Sequence, residues 1–502
     1  DIKYDIIEGK RYYLSKVNVE GNKLIKVHDI KKILGLKVGN PYNPVFINDN
    51  LYQIENEYHE FGKLFMEIFI EDQILDSVQV NIKINEGKDI YVKKTYIENN
   101  GDIDANLIMR ELIYGNDEIF SKRKVDISIR RLREMNVFSL VNIVPVKVIN
   151  SDSLVNMVVE LDNYKQREWN SIGGYDPIQF ADGAEPIPAI SVTTEWRNRS
   201  FFNSPTQFST KLLAGIPVEE EFVIPRIRYD VSLSSNWFLG IRFPTKITAY
   251  YETFFDNWED QNLNKKSLKL LERRGLNLSQ HLNFDNRSSI ETKSILESFS
   301  DDSEKKDQIE QRAVSIKINY DKKDDPIFTR SGYLASSILK FAGFGGERDY
   351  LKIDFNFQFY KTIKNQSVLA TRLKIGSLMG WNNNDLDYSY EKFYLGGSTS
   401  MRGWDVLRFE QTNSNEPVGK VNRFMINVEY RYPINKLLGI TIFADGGILS
   451  NHILSTKLGL IKWNNGIGLA IQTPLGPARI DYAFQTKNPE IWKIQLGVQN
   501  LF

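Results

Sequence analysis

Two periodicities divide the chain. Up to about residue 163, apolar positions recur at helical steps between short alternating stretches. Ile47, Leu51, Ile54 and Tyr58 follow at steps of 4, 3 and 4, which places them on one face of a helix. Val78, Val80, Ile82 and Ile84 alternate with polar residues, the period of a half-buried strand. The pattern predicts a strand at Tyr13–Val19, a helix at His28–Leu34, a second helix through Ile47–Tyr58, and strands at Phe65–Ile70 and Val78–Ile84. Val125, Ile129 and Leu132 repeat the helical stripe, and Val155–Leu161 reads as a closing strand.

This arrangement is a repeat with an interval of 78 positions. Glu8-Gly9-Lys10 returns as Glu86-Gly87-Lys88, Val19-Glu20-Gly21-Asn22 as Ile97-Glu98-Asn99-Asn100, and Asn43 aligns with Ser121. Each unit reads strand, turn, helix, helix, strand, strand, which sets expected α+β domains at 13–88 and 89–163. Asp1–Tyr12 aligns with the closing strand of the first unit, so residues 1–12 are expected to be the tail of an upstream copy.

After Leu161 the helical period is gone and strict alternation takes over. Leu351, Ile353, Phe355, Phe357 and Phe359 interleave with Lys352, Asp354, Asn356 and Gln358. Phe424, Ile426, Val428, Tyr430 and Tyr432 lie opposite Arg423, Asn427, Glu429 and Arg431. Ile480, Tyr482 and Phe484 lie opposite Arg479, Asp481 and Gln485. One face is apolar and aromatic, the other charged, the pattern of a lipid-facing exterior around a wet lumen. Sixteen such strands fit between about Glu168 and Phe502, with roughly 10 residues for each membrane crossing. Short connections such as Pro433–Lys436 and Pro474–Pro477 alternate with long polar ones at Asp256–Lys266, Ser300–Glu310 and Trp381–Lys420. The expected fold is a sixteen-stranded antiparallel transmembrane β-barrel over 164–502, preceded by the two α+β domains. Closure is demanded by lipid, where every backbone polar group needs a protein partner.

Composition agrees and excludes alternatives. Aromatic residues make up 12% of the chain, and no apolar run approaches the length of a membrane helix. Lys+Arg and Asp+Glu are both 64, so no general electrostatic grip on nucleic acid is expected. Cysteine is absent, which removes disulfides, thiolate metal sites and a cysteine nucleophile. The four histidines are too far apart for a His-Glu-x-x-His zinc site, and no Gly-x-Ser-x-Gly motif occurs. No catalytic residue, metal or cofactor is expected.

The two N-terminal units resemble POTRA domains, the periplasmic modules of outer-membrane assembly proteins. The loop at about 381–420, between the eleventh and twelfth strands, contains Gly396-Gly397-Ser398-Thr399-Ser400-Met401-Arg402-Gly403-Trp404. It resembles the hallmark loop of the BamA superfamily of outer-membrane assembly and secretion barrels. The resemblance implies that the loop folds back into the lumen and that its arginine, Arg402, pairs with acids on the inner wall. Glu429, which shares a face with Arg423 and Arg431, and Asp445, which shares a face with Thr441, are inward by strand phase, and the resemblance implies them as the partners because both match the family's acidic wall positions. Gly403 is expected to allow a tight turn, and Trp404 to supply apolar contact. The terminal Gln495–Phe502 resembles the signal that assembly machines read on their clients, with Asn500 in place of the usual apolar residue.

The resemblance implies an outer-membrane protein, its N-terminal domains in the periplasm, that folds and inserts other β-barrels. Its partners would be unfolded barrel clients, periplasmic or lipoprotein accessory subunits, and outer-membrane lipid, with no nucleic acid. The first strand, about Glu168–Tyr175, holds Gly173 and Gly174; the last, about Lys493–Phe502, holds Gly497 and ends at Phe502. Glycine weakens strand pairing, so the seam between these strands is the expected lateral gate. The competing reading is a translocation pore, either of the two-partner-secretion (FhaC) type or TamA-like.

Overall fold

The computed structural model describes residues 10–99, 101, 103–178, 185–217, 226–260, 265–284, 287–301, 309–326, 328–363, 366–381, 391–413, 415, 417–435, 437–452, 458–473 and 476–498. The chain divides into two compact units, Asp1–Gln166 with Arg199–Pro205, and Arg167–Asn198 with Thr206–Phe502.

The first unit contains two α+β modules of the same plan. In the first, β1 (Leu14–Glu20), α1 (Val27–Ile33), α2 (Pro44–Glu60), β2 (Glu67–Ile74) and β3 (Val78–Asn85) form a sheet of order β1-β3-β2 under two helices. α2 starts where it does because the Asn43 side chain accepts the Phe46 amide and Pro44 opens the first turn. Its buried Ile47, Ile54 and Tyr58 pack on Val78, Val80, Ile82 and Ile84 of the central strand. In the second, β4 (Tyr91–Glu98), α3 (Ala105–Met109), α4 (Lys122–Glu134), β5 (Phe138–Lys147) and β6 (Leu154–Asn163) repeat the order as β4-β6-β5. Ser121 occupies the place of Asn43 and caps α4 through the Lys124 amide. The aligned pair Asn43 and Ser121 is therefore one helix cap used twice.

The second unit is a sixteen-stranded antiparallel sheet running in sequence order from β7 (Arg167–Tyr175) to β22 (Trp492–Val498). Its burial is inverted relative to a water-soluble protein. On β18 (Asn422–Pro433), Asn427 and Glu429 are buried while Tyr430 and Tyr432 are exposed. On β21 (Gly476–Gln485), Arg479 and Asp481 are buried while Ile480 and Tyr482 are exposed. The sheet curls into a barrel. Glu185, just before β8 (Ala189–Phe201), bonds directly to Arg423 on β18. Ten strand spacings of about 4.8 Å would hold those strands about 48 Å apart in a flat sheet. Among the described residues no helix is long and apolar enough to cross a membrane.

Two expected loops are shorter than the sequence suggests. Asp256–Lys266 is not a long loop: β11 (Ile241–Asp260) and β12 (Lys265–Asn283) stay paired as far as Asp260 and Lys265. Polar sequence marks a loop only while a strand must present an apolar face to lipid. A paired hairpin that continues into water has no such requirement. The Ser300–Glu310 connection is shorter than expected too, because β13 (Ser288–Asp301) and β14 (Ile309–Asp321) extend into it.

Candidate functional site: the lumen loop

β17 (Val368–Gly380) and β18 are joined by the longest connection, whose described part enters the barrel. Phe393 and Lys420 close its base with two backbone hydrogen bonds, of 2.9 and 3.1 Å. Gly396 and Gly397 have φ of 120° and 94°, in the left-handed region that glycine tolerates. The turn they make is locked by Gly397 N donating to Trp404 O at 3.1 Å and Gly396 N to Ser400 Oγ at 2.9 Å. One side of the loop is apolar. Leu395, Met401 and Phe409 are buried against the wall residues Met425 and Leu449, with Trp404 packed beside them.

The other side is ionic. Arg402 is fully buried. Its Nε and Nη2 donate to the two oxygens of Asp445 at 2.9 and 2.7 Å, and its Nη1 donates to Glu429 at 2.7 Å. Asp445 lies on β19 (Leu438–Ser450). The guanidinium stacks 3.4 Å from the centre of the Phe443 ring. Asp481 lies 3.6 Å from Nη1. Around this centre, the guanidinium groups of Arg402, Arg431 and Arg479 face the carboxylates of Glu429, Asp445 and Asp481. Each of these buried charges faces at least one opposite charge, which lets so many share a buried site.

The loop backbone is held as firmly as its arginine. Wall side chains donate to its carbonyls: Arg372 to Thr399 at 2.9 Å, Asn427 to Ser400 at 2.8 Å, Gln485 to Gly403 at 3.2 Å and Gln495 to Trp404 at 2.8 Å. Asn427 and Asn464 also donate to Asp445 at 2.8 and 2.9 Å, orienting the carboxylate.

The structure thus brings together Met401, Arg402, Gly403, Trp404, Glu429 and Asp445. Gly403 sits in the tight turn closed by Trp404 N donating to Met401 O at 3.2 Å, but without a positive φ; an added Cβ would lie 2.9 Å from the Cβ of Asn464 on β20 (Lys462–Thr473). Close approach to the wall is what excludes a side chain. Gly173 and Gly174 lie on β7, paired with Val192 and Ser191. Gly497 leaves room for Arg479, whose Nη2 would be 2.8 Å from an added Cβ. Phe502 and Asn500 lie outside the described residues.

Several site residues were not singled out from sequence. Arg372, Arg479, Asp481, Gln485 and Gln495 sit on polar faces whose phase marks them as inward, but phase alone does not say which inward residue meets a loop. Glu185 carried no periodic signal.

Residues 225–499 match the family model of the Omp85 superfamily domain, more than half of the chain. The chain belongs to the Omp85 superfamily. Residues 12–87 match the POTRA model, described as a surface antigen variable number repeat. An outer membrane protein assembly factor BamA of Neorickettsia risticii is 23% identical over 99% of this chain and 67% of its own length. That of Nitratidesulfovibrio vulgaris is also 23% identical, over 96% of this chain and 60% of its own length. This Omp85 chain therefore spans about two thirds or less of these relatives. The crystal structure of BamA from Haemophilus ducreyi lacking POTRA domains 1–3 superposes with a TM-score of 0.69 at 15% identity, covering 97% of this chain and 98% of that one. That likeness concerns the fold.

Proposed function

We propose that this Omp85 chain is an outer-membrane assembly factor, its POTRA-like modules in the periplasm, that folds and inserts β-barrel proteins. Kinship with assembly factors along nearly its whole length supports the assembly role. The structural observation that carries the mechanism is the seam. The strand order runs from β22 to β7 with no pairing between those two strands among the described residues. Every strand edge in lipid needs hydrogen-bonding partners, and at a sheet's two terminal strands a client strand can supply them. The seam residues Gly173, Gly174, Gly497 and Phe502 belong to this lateral gate. Modules at 13–88 and 89–163 present further strand edges, suited to accessory subunits or clients by strand addition. Lipid and unfolded clients are the partners, and client folding supplies the driving force without covalent chemistry.

Site-specific photocrosslinking tests this reading. Ile172 on β7 is 72% exposed and suits a photoreactive replacement. Adducts with several unrelated outer-membrane barrels are expected. Adducts with one secreted protein alone, or none at all, would contradict the reading.

A further inference from the structure

Among the described residues β7 and β22 do not pair with each other, yet the segment after β7 and β22 itself both bond to the same loop. Beyond β7 the chain continues as a narrow hairpin. Asp176 N donates to Ala189 O at 3.0 Å, and Ile178 and Ile187 exchange backbone hydrogen bonds of 2.9 and 2.8 Å. Both isoleucines are buried, so this extension is fixed to the barrel. It holds Glu185, whose side chain is 2% exposed. The Glu185 carboxylate accepts Lys374 Nζ at 2.7 and 2.9 Å and Arg423 Nη1 at 2.8 Å. The next carbonyl, of Pro186, accepts Thr399 Oγ1 of the lumen loop at 2.6 Å.

At the other end of the sheet, β22 reaches the same loop. Gln495 donates to Trp404 O at 2.8 Å, and Lys493 Nζ lies 2.6 Å from an Asp405 oxygen. Thr399 and Trp404 flank Arg402, which the inner wall holds fast. First hairpin, lumen loop and last strand therefore form one bonded series across the seam.

We propose that the lumen loop is a clasp that sets the spacing of β7 and β22, with Glu185 and Lys493 as its positioning residues. This rests on the seam being the working gate, as proposed above. The physical reason is that no strand ladder joins the seam strands among the described residues. Apart from the long way round the ladder, the two sides are joined through the loop segment Thr399–Asp405, which bonds to the residues after β7 and to β22. The two halves of the clasp differ in strength. On the β7 side Glu185 pins the hairpin to the wall, buried between Lys374 on β17 and Arg423 on β18, and so holds Pro186 against the loop; removing one member of a buried ionic set is strongly destabilising. The Lys493 and Asp405 side chains are 38% and 32% exposed, so their pairing is weaker. The seam therefore releases first at β22, while the hairpin after β7 stays on the wall with Pro186 beside the loop.

The chain lacks cysteine, so a cysteine pair at Ile172 and Leu496, both exposed, takes spin labels without background. The seam distance is read by pulsed electron resonance on the full chain in phospholipid vesicles, without client. Lys493→Gln is expected to broaden the distribution and lengthen it by about one strand spacing, ~5 Å. The exchanged pair Asp405→Lys with Lys493→Asp restores it. Glu185→Gln lengthens it further. If Glu185→Gln does not fold, Thr399→Val removes only the loop's bond to Pro186 and is expected to act in the same direction. An unchanged distribution in Lys493→Gln together with either first-hairpin variant would overturn the clasp. A chain whose seam responds as expected but captures no client would instead sink the assembly reading and leave the clasp standing.

Discussion

Arg402 grips Asp445 along one whole edge of its guanidinium, Nε to Oδ2 at 2.9 Å and Nη2 to Oδ1 at 2.7 Å. This two-bond match of planar groups is available to arginine and not to lysine. The remaining nitrogen, Nη1, is used on Glu429 at 2.7 Å. The loop position is thus fixed by one side chain in two directions, toward β18 and toward β19.

Arg402→Ala leaves Asp445 and Glu429 buried with their main partner gone. The loss is expected to be about 3–5 kcal/mol, the range for breaking a buried ionic set. The sixteen-strand ladder does not pass through the loop, so the barrel still assembles. The expected result is a chain that migrates as a folded barrel, with a loop newly open to protease and with reduced client assembly. Arg402→Lys retains the charge and loses the two-bond match, and should resemble the alanine variant. Wild-type protease resistance in both variants would contradict this.

Gly403→Ala keeps every charge but forces a Cβ to within 2.9 Å of Asn464 Cβ. The loop has to shift away from β20, and the bonds of its neighbour Arg402 lengthen. Loop protection should fall toward the level of Arg402→Ala. Gly459→Ala, which meets no atom within 4 Å, is the control and should leave protection unchanged.

Ile467 lies near the middle of β20 and is 50% exposed on the outer face. Ile467→Arg places a cation in lipid, at a cost of about 2–4 kcal/mol near the bilayer midplane. Denaturant unfolding in vesicles should show a loss of that size. A loss below about 0.5 kcal/mol, the usual surface value, would contradict the assignment of the outer face.

Glu86 follows β3 and accepts the amides of Lys23 and Leu24 at 2.6 and 2.9 Å. Burial works against its charged form, but these amides outweigh it and hold the carboxyl below the usual glutamate value. A lowered folded value means that the stabilisation is complete above the unfolded glutamate range. It is lost as pH falls through the folded value. Hydrogen-exchange protection of Lys23 and Leu24 in the full chain should therefore drop on acidification below about pH 4.3. Glu86→Gln should remove that pH dependence. Protection that varies with pH equally in both proteins would contradict the assignment.

Much of this was legible in the sequence because a strand has only two faces. Alternation in Phe424–Tyr432 and Arg479–Gln485 predicts both strands and their inward residues; phase marks Glu429 and Asp445 as inward, and the family resemblance singles them out as partners of Arg402. The helical stripe at Ile47, Leu51, Ile54 and Tyr58 falls within α2. What the pattern could not convey was pairing at long range. Glu185 meets Lys374 and Arg423, 189 and 238 positions away, and a lone carboxylate beside two prolines has no period to betray it. The β11–β12 hairpin was misread for a related reason. Its stretch is largely polar on both faces and so carries no period-2 signal, although the backbone stays paired through it.

The central claim is that this chain assembles many barrels rather than exporting one protein. The most direct measurement is depletion of the chain in its host, followed by quantification of the whole outer-membrane proteome. Many unrelated β-barrel proteins are expected to fall together. Loss of a single secreted protein, with the other barrels at their normal levels, would contradict it.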